Sequence, residues 1–354
     1  DKDENKARIF AGEKYTALYD GRLIHAFDHC YQCYVSGEGP KQIWSRLEMN
    51  EKSYVPRVFA CAHESLVPAT ARCGFRDIAR SSDERTMISA LIPAGVACGN
   101  KVPVLQLADI SHCCVLPALL NAFVADFLLR QRVGATLNWI YVSRLVVPSR
   151  NHVNEPLRNE LAKLSARLSC TTPEMADVWA QVFPDVPWTY DVAERDGWKR
   201  AELRAEMDAI VADLYGLSVP EYAYVLTTFP LLDRNQPVLS GDAFVTESDE
   251  KSRGKAEDRG VTWDETDEGV VELVPRSFVT RDLALLRFMQ RKQYPIPTDL
   301  EVFYRDEVGI DPRGPLSRFR VGSVRDLEAR VLEAKKRGAI GYVPSGRGAG
   351  GDDD

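Results

Sequence analysis

The hydrophobic pattern of this chain, mostly strand-like but for one helical stretch at 116–132, turns to helix from residue 151, and that change limits the folds open to it. Before it, apolar and aromatic residues come in short alternating runs bounded by Gly, Pro and Asp, the pattern of half-buried strands. After it, apolar residues recur every three or four positions over stretches that fill several helical turns. Strands gathered at one end and helices at the other imply an α/β chain of the α+β kind, with a mixed-sheet domain first.

Residues 15–35, YTALYDGRLIHAFDHCYQCYV, read as one or two strands turning at Asp20-Gly21. Residues 36–53 read as a polar loop, 54–62 and 101–107 as strands, and 138–147 as a strand stopped by Pro148. Residues 74–93, GFRDIARSSDERTMISALIP, read as strand, polar turn, strand. The turn carries Arg76, Arg80 and Arg85 among Ser81, Ser82, Asp83 and Glu84. Such an edge suits phosphates and base edges, which need forked donors at fixed positions; a solvated hairpin laced with ion pairs has the same pattern. A helix is predicted over 116–132, with basic residues in its last turn and Gly134 as its C′ residue.

Further helices are predicted over 155–168, 172–182, 199–215 (ended by Gly216), 218–229, 280–292, 299–306 and 324–337. Residues 233–275 are rich in Asp, Glu, Ser, Gly and Lys and read as an acidic flexible linker. The expected division is an α/β domain at 1–150, a helical segment at 151–232, that linker, a small mainly helical C-terminal appendage at 276–345, and a disordered tail at 346–354.

The net charge of −7 argues against indiscriminate nucleic-acid binding. Residues 57–150 are nevertheless locally positive, with ten basic and six acidic side chains. A basic face on an acidic protein can grip DNA when another domain supplies most phosphate contacts. No apolar run reaches the roughly 18 residues of a membrane span, and the N-terminus has no apolar signal segment, so a cytoplasmic chain without membrane contact is expected. The chain begins without Met, as a processed form or a piece of a longer protein would.

The eight cysteines lack framework spacing and read as cytosolic thiols. Cys30-x-x-Cys33, with His25, His29, His112 and Cys113-Cys114, leaves a zinc site as an alternative, although no second CxxC or HxxxH closes the ligand set. P-loop, GxGxxG, HExxH and GxSxG motifs are absent. No catalytic, cofactor-binding or metal residue is therefore expected in this chain.

Four segments, in order, resemble one family. Residues 18–29, LYDGRLIHAFDH, resemble the LYEGKMIHQFDHR block of large bacterial adenine-N6 DNA methyltransferases, including type IIG restriction–modification enzymes and phage-defence methylases. Residues 74–93 resemble the next block, GFRDITRATNERTLIAAILP. Residues 116–148, LPALLNAFVADFLLRQRVGATLNWIYVSRLVVP, resemble the helix and strand that follow. Residues 201–230, AELRAEMDAIVADLYGLSVPEYAYVLTTFP, resemble the closing helical block. Cys30 and Cys33 depart from the usual residues, and the short YGxYRT segment that often follows is not found.

The resemblance implies a target-recognition domain for double-stranded DNA. It aligns Arg76, Arg80, Ser81, Ser82, Glu84 and Arg85 with a DNA-facing block, and Gly134, Thr136 and Asn138 with a second loop next to the helix that carries Arg130, a further candidate DNA contact. The S-adenosylmethionine site and catalytic loop of such enzymes lie upstream of these blocks, so this chain would serve a methyltransferase catalytic domain in cis or in trans and be inactive alone. Two alternatives stay open. The chain can be a protein-interaction or specificity subunit docking onto a methyltransferase or nuclease, with no direct DNA readout. Its arginine block can clamp the inner sheet through Arg–Glu pairs, with Asn138 capping a strand turn and His25, Asp28 and His29 packed in a polar network.

Overall fold

The computed structural model describes residues 15–52, 58–61, 67–80, 83–134, 136–149, 152–247, 262–266, 269–310 and 320–339. Strands β1 (Tyr15–Tyr19), β2 (Gln32–Ser36), β3 (Ile43–Arg46), β4 (Val58–Cys61), β5 (Arg72–Phe75), β6 (Ser89–Ile92), β7 (Ala97–Cys98) and β8 (Val104–Leu105) occupy the N-terminal part. They form three small sheets, ordered β4-β1-β7, β6-β5-β8 and β2-β3. Every pairing among them is antiparallel except β1 with β7.

Helices α1 (Ile110–Leu120), α2 (Phe123–Arg130), α3 (Trp139–Val142), α4 (Glu155–Ser169), α5 (Ala176–Val182), α6 (Gly197–Leu214) and α7 (Val219–Thr227) follow. Beyond them lie β9 (Ala243–Glu247), β10 (Thr262–Thr266), β11 (Gly269–Pro275), α8 (Val279–Lys292), α9 (Leu300–Phe303) and α10 (Leu327–Lys336). The described residues thus form a mixed α/β chain of ten α-helices and four small sheets. None of these helices alone is long and apolar enough to cross a membrane.

The helix starts follow local chemistry. Asp196 accepts from the Lys199 amide at 2.8 Å to begin α6, and Ser218 with Glu221 forms a complete capping box at α7. Gly216 (φ 72°) supplies the left-handed residue that ends α6, a conformation other residues adopt at a cost.

Helix α6 is buried nearly all round, as a helix with apolar residues on every side must be. Ala201, Ala205, Ala209 and Ala212 face one core, shared with Phe123 of α2, Tyr222 of α7 and Leu283 of α8. Met207, Ile210 and Val211 join a second core with Phe75, Leu119, Leu161 and Trp179. Tyr19, Leu23, Ile24, Ile92 and Val102 fill a third, smaller core under the N-terminal sheets.

Several expectations are corrected. The described residues of 276–310 and 320–339 are not a separate appendage. Helix α8 lies along α6, where the alanine row is too small to hold it away, and both enter one core. The boundary at 150 does not divide cores either, because α4 buries Leu161, Ala162 and Ala166 against α1.

The linker expectation fails for 243–247, 262–266 and 269–275, which form an antiparallel sheet ordered β10-β11-β9. Val245 of β9 and Val271 of β11 are buried, apolar positions outweighed in the sequence by the surrounding charge. Fully buried Arg330 of α10 fastens this part to the helices. It donates to Asp282 at 2.8 Å and to Asp242 at 3.0 Å. At Gly322 a β-carbon would come within 2.0 Å of the Ser240 carbonyl, so only glycine lets these two chain segments meet. Residues 248–261, 267 and 268 of the expected linker, and the expected tail at 346–354, lie outside the described residues.

The helix expected over 116–132 is two helices, bent by 62°. The Asn121 side chain pairs with the backbone of Ser89 at 2.8 and 2.9 Å, and the Phe123 amide donates to Asp208, so the helical ladder is interrupted there. The strand expected over 138–147 is instead α3 and a turn. Asn138 caps α3, accepting from the Ile140 amide at 3.0 Å. The polar loop expected over 36–53 contains β3, paired with β2.

Candidate nucleic-acid interface

Strands β5 and β6 pair from Arg72↔Ile92 to Phe75↔Ser89, as the strand–turn–strand reading expects. Their backbones are buried on both faces, so the connection at 76–88 is presented from a rigid base. Arg76 opens it. Its Nε donates to the Gly21 and Ile24 carbonyls at 2.8 Å each, and its guanidinium sits 5.8 Å from the Tyr31 ring centre. The Arg80 amide donates to Asp83 at 2.8 Å, and the Thr86 hydroxyl donates to the Arg80 carbonyl at 2.9 Å. These bonds close a tight turn that leaves the Arg80 side chain exposed.

Behind the turn lies a buried charge cluster. Asp126 of α2, fully enclosed, accepts from Arg85 at 2.6 Å and from Arg130 at 3.4 Å. The Thr86 amide lies 3.2 Å from both Asp126 carboxylate oxygens. Arg85 also donates to the Asn121 carbonyl and stands over the Phe123 ring at 4.2 Å. Arg130 donates to the carbonyls of Asp83 and Glu84 and stands over Phe229 at 4.2 Å. A carboxylate removed from water needs this degree of pairing. Arg85 and Arg130 therefore hold the turn from inside, and the expectation that they face DNA is corrected.

Asp208 of α6, beside this cluster, accepts from the Phe123 amide at 3.0 Å. Burial pushes its carboxyl from 3.8 up to about 7. A carboxyl whose pKa is raised by folding stabilises the fold below its unfolded value, and that contribution is lost as pH rises through about 7. Asp208→Asn should therefore gain on wild type by about 3 kcal/mol between about pH 5 and about pH 8, read from urea unfolding of both proteins. The difference cancels the opposite contribution of His29, whose buried ring falls to about 4 and weakens the fold as pH drops below 6.5.

The two sequence-predicted loops meet. Ile78 and Thr136 form an antiparallel bridge, and the Leu137 amide donates to the Asp77 carbonyl at 2.7 Å. Around this junction Arg80, Arg132, Gly134, Thr136 and Arg144 are exposed. Large apolar side chains are exposed with them: Ile78 is 64% exposed, Ile140 58% and Trp139 44%. From 127 to 154 the chain has four arginines, Arg130, Arg132, Arg144 and Arg150, and no acidic residue. Asp77 is engaged by Lys101 at 2.9 Å and Asp83 by the Arg80 amide at 2.8 Å, so the nearby acids serve the loop itself.

Of the residues expected to face DNA, Arg80, Gly134 and Thr136 are outward, and Arg76, Glu84 and Asn138 are half-buried. Arg76 braces the N-terminal turn through backbone carbonyls, and Asn138 caps α3, where the clamp alternative expected Arg–Glu pairs and a strand turn. Ser81 and Ser82 lie outside the described residues. Sequence reasoning missed Arg132, Arg144 and the apolar trio; the acid-free run from 127 to 154 was the available signal.

His25, Asp28 and His29 are buried in a polar network. His29 bonds the Tyr19 hydroxyl and Thr172 Oγ1, each at 2.9 Å, and Lys52 reaches Asp28 at 2.6 Å. Burial, then the charge of Arg76, lowers the pKa of His25, leaving a neutral ring. No group of three or more His, Cys, Asp or Glu among the described residues is placed to hold a metal ion. Burial raises the thiols of Cys30, Cys73 and Cys114 well above normal and those of Cys113 and Cys170 to about 12. Iodoacetamide on the native chain near pH 8, read by peptide mass, should therefore label half-buried Cys33 well before any of these five, which should react only after denaturation.

No family model, characterised protein or solved structure matches this chain.

Proposed function

We propose that this chain supplies DNA-sequence recognition to a site-specific adenine-N6 DNA methyltransferase of restriction–modification or phage-defence type. Catalysis and S-adenosylmethionine belong to another segment or subunit, in cis or in trans. The observation that carries this reading is the Ile78–Thr136 bridge, which joins the polar turn to the acid-free arginine loop at one edge.

At that edge Arg80, Arg132 and Arg144 are exposed, each on backbone tied by a hydrogen bond: the Arg80 carbonyl accepts from Thr86, and the Arg132 and Arg144 amides donate to the carbonyls of Leu129 and Tyr141. Guanidinium groups at such positions pair with phosphates or with guanine O6 and N7, and the Thr136 hydroxyl can serve a phosphate or a base edge. Backbone fixed from inside limits the entropy lost when these side chains engage a ligand.

The test is selection of a random duplex pool on the full chain, followed by calorimetry with S-adenosylmethionine. Enrichment of a shared motif containing adenine, with no S-adenosylmethionine binding, is expected. A pool that never enriches contradicts DNA readout and favours docking onto a protein partner. Micromolar S-adenosylmethionine binding contradicts the placement of catalysis elsewhere.

A further inference from the structure

We propose that Ile78, Trp139 and Ile140 form an apolar wedge that opens a base step of the bound duplex; this rests on the DNA-recognition reading above. Ile78 is bridged to Thr136, three residues before Trp139, so three exposed apolar side chains gather at one junction, and gathered rather than scattered apolar exposure marks a contact surface. The choice of occupant follows from the charge around them. Exposed Arg80 lies two residues from Ile78 in the sequence, and exposed Arg132 and Arg144 bracket Trp139 and Ile140 along the stretch 127–154, which has no acid. An apolar tip between exposed cations fits a polyanion whose interior is a stack of flat apolar faces. A protein partner of that charge pattern would need an acidic rim around an apolar socket, and a DNA step offers both at once.

The wedge is also stiff. Trp139 follows the Asn138 cap, and its ring stands edge-on to fully buried Phe75, with centroids 5.3 Å apart and planes at 84°. Ile78 is held by its bridge to Thr136 and by the neighbouring bond from the Leu137 amide to the Asp77 carbonyl. A side chain that cannot fold back onto the protein transmits binding energy to the DNA, and apolar side chains inserted between base pairs unstack and kink the duplex. Opening a step beside the recognition edge would weaken the stacking of a nearby adenine, which a catalytic domain must extrude before it acts.

The test places 2-aminopurine at successive positions of the selected duplex and measures its fluorescence with saturating full chain. A several-fold rise at one step is expected with wild type. Trp139→Ala should abolish the rise while weakening affinity by about tenfold, and Trp139→Phe should retain most of both. Ile78→Ser should reduce the rise as an independent check, and unchanged thermal midpoints show that each variant is folded. Duplex binding without a rise at any position removes the wedge and leaves DNA recognition standing, as does a full rise in Trp139→Ala. Absence of any duplex binding removes both.

Discussion

Asp126→Ala should lower the unfolding free energy by about 3–5 kcal/mol, measured by urea denaturation against wild type. Asp126 is fully enclosed and joins Arg85, Arg130 and the Thr86 amide. Truncation leaves the buried Arg85 guanidinium without its carboxylate and deprives the Thr86 N–H of its acceptor, and uncompensated buried charge is the costly case. Asp126→Asn keeps an oxygen for Thr86 but loses the charge, so a smaller loss is expected. The same truncation should weaken duplex binding although Asp126 is nowhere exposed, because Arg130 holds the carbonyls of Asp83 and Glu84 behind Arg80. A stability change below about 1 kcal/mol would show that the cluster is dispensable to the fold.

The hairpin of β5 and β6 was legible because its apolar runs flank one polar stretch. Helices α4, α6, α7, α8 and α10 were legible from their period and their caps. The direction in which each arginine points was not. Arg85 turns inward to meet the fully buried carboxylate of Asp126, 41 residues away, which Arg130 also engages, and no local pattern carries the long-range pairing. A lone carboxylate in the apolar run 115–129 was the clue, since a buried charge must recruit a cation.

Asn121 shows the same limit. Its neighbours read as continuous helix, yet its amide binds Ser89 of β6 and breaks the ladder. The division of the C-terminal part failed for a related reason. The alanine row of α6 looks like plain helix-former in sequence, and it becomes the seat for α8 only when the two helices meet. In the candidate interface, each loop was legible by itself, whereas the Ile78–Thr136 bridge that joins them depends on tertiary pairing.

The arginine edge is where the largest functional effect should appear. Arg80, Arg132 and Arg144 are exposed, so changing all three to Ala should leave the fold intact. If each meets one phosphate, the triple variant should bind duplex DNA roughly a hundredfold more weakly near 0.15 M salt, by loss of three charge-assisted contacts. Lys163 and Arg167, exposed on α4, provide a control of similar charge away from that edge.

The most direct measurement is the dependence of duplex affinity on salt, by fluorescence anisotropy, for wild type, Arg80→Ala/Arg132→Ala/Arg144→Ala and Lys163→Ala/Arg167→Ala. The slope of log K against log salt should fall by about 3 in the triple variant, roughly one unit for each arginine, and stay at the wild-type value in the control. An unchanged slope and affinity in a folded triple variant would contradict the assignment of this edge to DNA.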